Sequence, residues 1–385
     1  MVRVAVKREV LRWALRRSGL TTDDVRRKFP KARQWDTGES RPTLRQLEEL
    51  ARLTLTPLGF LFLDEPPEER LPVPYFRTTG DQEPRTPSPE LIETIQTMQQ
   101  RQAWLREDLV EQGQEMLEFV RSARLGSPAA SVANAMRREL RLDVGWAARY
   151  RTWTDALRAL RETMEEAGIL VVVNGVVGNN THRALDPDEF RGFVLADEYA
   201  PLVFVNGADA KAAQMFTLAH ELAHVFFGRS AAFDLREMQP ADDPIEQACN
   251  RVAADFLVPD HELRGIWPSA KNDPEPFQVI ARRFKVSSLV AARRALDLRL
   301  IGRAAFLQFY AAYQKDERRA VPRQPKRGDF YLNQNLRIGR RFAGLVARAA
   351  LEGRLLYSEA YRLTGLYGVS FDRYVAHVQT KERRA

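Results

Sequence analysis

A strongly apolar segment, QMFTLAHELAHVFFG from Gln214 to Gly228, contains two histidines and a glutamate that a hydrophobic core cannot accept without a partner. His220 and His224 are four residues apart, so a helix would place both imidazoles on one face, about one turn apart. Burial of these groups and of Glu221 costs several kcal/mol unless something satisfies them, and a metal ion would do so. Random placement of the five histidines would produce this pattern roughly 0.005 times. The segment therefore predicts a buried helix beside a metal site.

The same residues predict metal-dependent hydrolysis. Two histidines at this spacing can hold one tetrahedral Zn²⁺ ion. Glu221 directly follows the first ligand, and a carboxylate there can take the proton from a water whose pKa the metal lowers towards about 7. Two other interpretations stay open: a pair of core histidines held by backbone carbonyls, or a structural metal site without catalysis.

Catalytic zinc usually has three protein ligands, so a third is expected downstream of the two histidines. The candidates in the sequence are Glu237, Asp242, Glu246, Asp255 and His261. Glu246 begins an apolar helix in which Asn250 lies one turn further along the same face, where it could orient a ligand or the substrate. Glu246 could equally close a capping box onto Asp243. Spacing alone does not choose between Glu246 and its main rival, Asp255.

Charge is distributed unevenly along the 385 residues. The net charge of +8 combines +6 in residues 1–50, +8 in residues 316–385 and −6 in the residues between them. Basic ends are suited to phosphate groups, although a solvated arginine-rich surface explains them equally well.

The single cysteine fits a reducing compartment. With no apolar run of about 18–20 residues and no secretory signal pattern, we expect a cytoplasmic protein without a membrane span.

Composition and periodicity predict four regions. These are an all-α, helix-turn-helix-like domain at 1–65, a Pro-rich linker and long helix at 66–129, an α+β domain at 130–300, and a helical, basic region at 301–385.

Strands and helices are predicted to alternate within the α+β domain. Strands are predicted at 169–177, 190–195 and 202–206, a loop at 178–188, and helices at 210–227 and 244–258. Asp209 and Asp243 are the predicted caps of the two helices. We interpret strand 202–206 as an edge strand that an extended peptide could join.

Two motifs together resemble the ImmA/IrrE family of metallopeptidases. They are HELAHVFFG and the segment E-x-x-C-N-R-V-A-A-D-F-L-V-P at 246–259, and the resemblance covers about 150–265. It implies a zincin-like core with a small sheet, Zn²⁺ held by His220, His224 and Glu246, and Glu221 as the general base. It also implies a protein substrate, a helix-turn-helix repressor of stress or mobile-element genes.

The N-terminus resembles the XRE-type helix-turn-helix domain that is fused to some members of this family. The resemblance lies in QWDTGESRPT at 34–43 and continues in PVPYFRT at 72–78. Lys31, Arg33 and Gln34 are the candidate DNA contacts, and Trp35 is predicted to be core. Phe29-Pro30 falls where the recognition helix should begin and leaves it short. A helical module for dimerisation or for binding a repressor is the alternative.

The C-terminal tail resembles the extension of the same fused proteins. Arg337, Arg340 and Arg341 are predicted to form a basic helix face, and Tyr357 and Tyr361 to pack in the core.

These observations favour a zinc endopeptidase that cleaves a repressor. The alternative is a DNA-binding regulator or antitoxin-like binding protein whose zinc site is structural or inactive. The oligomeric state stays open, with a dimer as one form.

Overall fold

The structure is a computed structural model that describes residues 3–20, 22–69, 75–76, 87–233, 243–315 and 329–382. The predicted α+β class is confirmed, since most of the described chain is helical and the strands form a small sheet. The chain divides into two compact units, Met1–Pro72 with Gly80–Gln96, and Val73–Thr79 with Thr97–Ala385. None of the described helices is long and apolar enough to cross a membrane.

The first unit is helical. Its elements are α1 (Arg8–Arg17), α2 (Thr22–Lys28), α3 (Ala32–Thr37), α4 (Leu44–Leu53) and a 3₁₀ turn (Leu58–Phe62). Trp35 is buried among apolar side chains, as predicted. Lys31, Arg33 and Gln34 are exposed, but α3 has only six residues, which is less than two full turns. The role of these three side chains in DNA binding stays a prediction.

The sheet belongs to the second unit. Its strands, with those of a separate hairpin, are β1 (Tyr75–Phe76), β2 (Leu170–Asn174), β3 (Val176–Val177), β4 (Asn180–Ala184), β5 (Gly192–Leu195), β6 (Leu202–Asn206) and β7 (Ala231–Phe233). The order is β1-β7-β5-β6-β2, with β5 antiparallel to both neighbours and β2 parallel to β6. β3 and β4 form the hairpin.

Two strand predictions are wrong. β6 is an inner strand, because β2 and β5 pair with its two sides, so no peptide can join it by β-addition. Its five residues are all buried, which is typical of a strand covered on both faces. The stretch predicted as a loop contains β4, an exposed strand that its polar residues do not reveal.

Helices make up the rest of the structure. They are α5 (Pro89–Glu111), α6 (Ala129–Glu139), α7 (Trp153–Glu166), α8 (Lys211–Phe227), α9 (Pro244–Leu257), α10 (Asp260–Ala270), α11 (Pro276–Phe284), α12 (Ser288–Asp297), α13 (Arg303–Gln314), α14 (Phe330–Ile338), α15 (Arg340–Leu351), α16 (Tyr357–Thr364) and α17 (Val369–Glu382), with a 3₁₀ turn (Trp146–Arg149). α8 contacts β5 and β6 as well as α6, α7 and α9. Neighbours on all sides explain why it is apolar all round.

The ends of α8 and α9 follow local signals. Gly228 ends α8 in the left-handed conformation, at φ +66°, where a side chain would be strained. The predicted cap of α8 is displaced by one residue: Ala210 is the N-cap, and its N–H donates to Asp209 Oδ1 over 2.7 Å. Asp243 caps α9 as predicted, accepting a hydrogen bond from the Ile245 N–H.

The basic helix face predicted for the tail does not form. Arg337 is on α14 and donates to Asn179 Oδ1, whereas Arg341 is on α15 and donates to the carbonyl oxygen of Glu165. Gly339, between the two helices, redirects the chain at φ +86°. Arg337 therefore lies on a different helix from Arg340 and Arg341, and the three side chains do not share one helix face.

A buried carboxyl lies where α7 meets the tail. Burial raises the pKa of Glu165 to about 7, despite the opposing charge of Arg161 and a hydrogen bond from the backbone N–H of Arg340. Glu162 adds a small effect in the same direction as burial. Burial also raises the pKa of the Tyr374 hydroxyl, from α17, above its ordinary value. Glu165 is therefore the group of this cluster that titrates near neutral pH.

We expect the protein to lose stability as the pH rises from about 4.5 to about 7. The unfolded carboxyl releases its proton near 4.5 and the folded one near 7, so the folded state binds more protons between these values. The full effect is about 3 kcal/mol in the free energy of unfolding. Glu165→Gln should remove this slope in urea unfolding measured across the range, while Glu166→Gln, at an exposed site, should keep it. An unchanged slope in Glu165→Gln would refute the assignment.

Candidate metal centre

Helix α8 brings the two histidines together. His220 and His224 have no solvent exposure, and their Nε2 atoms lie 3.0 Å apart. The spacing of four residues on one helix face accounts for this closeness. The two side chains present their nitrogen atoms to one small volume in the interior of the domain.

Glu246 reaches the same volume from α9. Its Oε2 lies 3.1 Å from His220 Nε2, and its Oε1 lies 3.0 Å from His224 Nε2. The side chain is fully buried, and Asp243 caps α9 through the Ile245 N–H. The capping box between Glu246 and Asp243, the alternative that the sequence left open, therefore does not form. Packing of α9 against α8 turns the carboxylate towards the histidines.

Asn250 sets the orientation of His220. Its Oδ1 lies 3.1 Å from His220 Nδ1, so the ring donates its Nδ1 proton to the amide oxygen. The Nε2 atom then carries a lone pair that faces Glu246 and His224. A lone pair directed at a carboxylate is repelled unless a proton or a cation lies between them. In metal sites, the second nitrogen of a ligating histidine usually donates a hydrogen bond that fixes the orientation of the ring, as Asn250 does here.

These three side chains fit a zinc ion. Among the described residues they form a group whose ligand atoms all lie within 4.8 Å of one another. Two ligands about 2.0–2.1 Å from zinc in a tetrahedral site lie roughly 3.3 Å apart. The observed separations of 3.0 and 3.1 Å are close to that value. The donor set of two imidazoles and one carboxylate is also one that zinc accepts in catalytic sites.

Burial and the charge of Glu246 govern the ionisation of the cluster. Burial lowers the pKa of His220, with Glu246 opposing it in part, so the ring is neutral as a metal ligand must be. Burial alone would raise the pKa of Glu246, but its contacts with His220 and His224 outweigh this and lower it below the usual range. A neutral imidazole and an ionised carboxylate together make a cation-binding site.

Glu221 lies beside the cluster, and no basic side chain among the described residues pairs with it. Its side chain is fully buried, and neither carboxylate oxygen has a hydrogen-bond partner in the described part of the chain. Burial, and secondarily the charge of Glu246, raises the pKa of Glu221 well above its ordinary value. A buried carboxylate without partners is costly, so its presence calls for a functional explanation.

The other candidate ligands lie elsewhere. Asp255 is paired with Arg137 and Arg294, and His261 is exposed on α10. Glu237 and Asp242 lie outside the described residues. Cys249 is buried on α9, and burial raises its thiol pKa well above the usual value, so it stays protonated.

Two residues that the sequence did not single out lie near Glu221. Gly192 on β5 lies against α8 at the level of Glu221, and Thr217 is one turn before Glu221 with its hydroxyl buried and unpartnered in the described structure. A glycine at the start of a buried strand is a known sign of close backbone approach, and that signal was available. Nothing in the sequence marks Thr217.

Comparison with known families places this centre in a recognised domain type. Residues 164–296, about a third of the chain, match the model of peptidase family M78, described as the IrrE N-terminal-like domain. The matched range contains all of β2, β5, β6, α8 and α9. Residues 338–377 match a domain of unknown function. No curated protein matches the chain. The stretch that holds the cluster is thus similar to metallopeptidases of the ImmA/IrrE type.

Proposed function

We propose that the protein is a zinc-dependent endopeptidase and that its substrate is a helix-turn-helix repressor. The observation that carries the proposal is the buried triangle of His220, His224 and Glu246 beside the unpartnered carboxylate of Glu221, inside an IrrE-like domain. A bound zinc ion would supply Lewis acidity and lower the pKa of a water towards about 7.

The residues of the site would then have three roles: metal binding, orientation of a ligand and proton transfer. The two histidines and Glu246 hold the ion, and Asn250 keeps the His220 ring in the tautomer with a free Nε2. Glu221 takes a proton from the attacking water and passes it to the leaving amine nitrogen. Its lack of hydrogen-bond partners in the described structure leaves both oxygens available for that transfer.

The substrate class rests on the resemblance of the two motifs to ImmA/IrrE peptidases and of the N-terminus to XRE-type domains. The exposure of Lys31, Arg33 and Gln34 is compatible with contact to DNA or to a repressor. The two resemblances can be combined in one proposal. In it, the N-terminal unit recognises the repressor and the metallopeptidase-like domain cleaves it.

The test is co-expression of the wild type or His224→Ala with each helix-turn-helix protein encoded beside the gene. Mass spectrometry would follow cleavage, and metal analysis would follow zinc. We expect about one zinc per chain and a defined cleavage in the wild type, and neither in His224→Ala, because two ligands hold zinc poorly. Equal fragments with both proteins, or no zinc in the wild type, would contradict the peptidase. Bound zinc with no cleavage would favour the binding protein with a structural zinc site.

A further inference from the structure

Strand β5 meets helix α8 at a residue without a side chain. A Cβ atom on Gly192 would lie 2.6 Å from Thr217 Cγ2, 2.8 Å from the Phe204 carbonyl oxygen and 3.2 Å from Glu221 Oε1. The backbone of Gly192 does not adopt a positive φ, so its conformation does not require glycine. What requires glycine is the space, which the Phe204 carbonyl oxygen and the side chains of Thr217 and Glu221 already occupy.

Packing is what holds the Glu221 carboxylate in place. Neither of its oxygens has a hydrogen-bond partner in the described structure, so no directional contact defines its position. Thr217 and Glu221 are four residues apart, share one face of α8 and are both fully buried. The backbone of β5 covers that face at the level of the carboxylate. The Glu221 side chain is therefore confined between Gly192 and the helix.

Strand β5 is held in the sheet by a neighbouring strand on each side. It pairs with β6 on one side and with β7 on the other, and Gly192 lies opposite Val205 and Phe233 in the two ladders. A side chain added at position 192 would thus displace atoms of α8, since the other close atom, the Phe204 carbonyl oxygen, is sheet backbone. The side chains of Thr217 and Glu221 are not restrained by any hydrogen bond in the described structure, so both can shift and carry the carboxylate away from its position.

We propose that Gly192 and Thr217 are positioning residues for Glu221: the bare strand and the threonine methyl group confine the carboxylate at the metal centre. The inference rests on the proposed peptidase function. It assigns no contact with substrate to either residue. A misplacement of about 1 Å in a catalytic group can cost 10²-fold in rate, so the effect of added volume at position 192 is measurable.

The test is Gly192→Ala, with kinetics and metal binding measured together. We expect kcat to fall roughly 10- to 100-fold with KM nearly unchanged. Zinc content and the absorption spectrum of the Co²⁺-substituted protein should stay as in the wild type, because the added methyl group faces Thr217 and Glu221 and not the three ligands. Thr217→Ser, which removes the methyl group at 2.6 Å, should restore part of kcat in the Gly192→Ala background.

Gly207→Ala is the matched control. A Cβ at Gly207 would lie 2.9 Å from Gly175 N and 3.0 Å from the carbonyl carbon of Asn174, so the crowding is similar but its three nearest atoms all belong to Asn174 and Gly175. We expect a lower melting temperature and an unchanged kcat. If Gly192→Ala does not fold, Thr217→Ala loosens the same carboxylate from the helix side and should lower kcat with zinc retained.

The outcomes separate the two proposals. Two results with Gly192→Ala would overturn the positioning role alone. One is a kcat equal to that of the wild type. The other is a parallel loss of kcat, zinc content and melting temperature that Thr217→Ser does not relieve. If Thr217→Ala is used because Gly192→Ala does not fold, a kcat equal to that of the wild type would also overturn the positioning role. A wild type that binds zinc and cleaves nothing would overturn the proposed function, and the positioning role with it.

Discussion

Glu221→Gln should lose peptide cleavage while keeping zinc and the fold. The amide has nearly the same shape as the carboxylate but cannot accept a proton, and general-base catalysis is worth about 10²–10⁴-fold in rate. The substitution breaks no hydrogen bond of the described structure, because the Glu221 oxygens have no partner there. The three residues that form the candidate metal site are unchanged. The loss should therefore appear in kcat and leave zinc affinity intact.

Steady-state kinetics on the cleaved repressor, with metal analysis and thermal unfolding, would measure this. Glu115→Gln, at an exposed position, is the control for the general effect of replacing a glutamate and should behave as the wild type. Cleavage by Glu221→Gln at the wild-type rate would show that the carboxylate is not the base. Loss of zinc together with activity would instead indicate that Glu221 maintains the metal site.

Arg294→Ala should destabilise the second unit by about 3–5 kcal/mol, the usual effect of removing one partner from a buried ion pair. Arg294 on α12 hydrogen-bonds to Asp255 Oδ2, and its Nε donates to the Val258 carbonyl oxygen over 3.0 Å. Arg137 on α6 holds the other side of Asp255, with Nη2 3.6 Å from Oδ1. All three side chains are almost completely buried. Without Arg294, the Asp255 carboxylate keeps Arg137 as its one ion-pair partner in the described structure, and the Val258 carbonyl oxygen loses the Arg294 donor.

Urea unfolding monitored by circular dichroism would measure the change, with Arg293→Ala as the control. Arg293 is the preceding residue and pairs with Asp297 on the helix surface, 34% and 39% exposed respectively, so its loss should cost at most about 0.5 kcal/mol. Asp255 and Glu246 share α9, so we also expect weaker zinc binding in Arg294→Ala. Equal, small losses in both variants would show that the buried pair contributes little.

The sequence predicted the helices of the site well because their signals are local. The apolar run with His220 and His224, ended by Gly228, predicts α8 to within a residue. Asp243 followed by proline predicts the start of α9. Capping and helical periodicity depend on residues within one or two turns, so one sequence is enough to recognise them.

The sequence could not assign the contacts between elements. Glu246 and Asp255 lie nine residues apart on one helix, and only the packing of α9 brings the first to the histidines and the second to Arg137 and Arg294. β6 has the composition of a strand, but its inner place in the sheet depends on β2, more than 25 residues away. Such contacts join distant parts of the chain and leave no local pattern.

By itself, then, the sequence determined that a buried helix carries two histidines and a glutamate in a spacing suited to a metal, because that spacing is a property of one helix. Spacing left the third ligand open between Glu246 and Asp255, and the tertiary structure places Glu246 and Asn250 against the histidines. It also decided that Gly192 confines Glu221 and that the tail arginines are divided between separate contacts. The physical reason is that close packing selects partners by shape across the whole interior, and one residue's neighbours in space are not encoded by its neighbours in the chain.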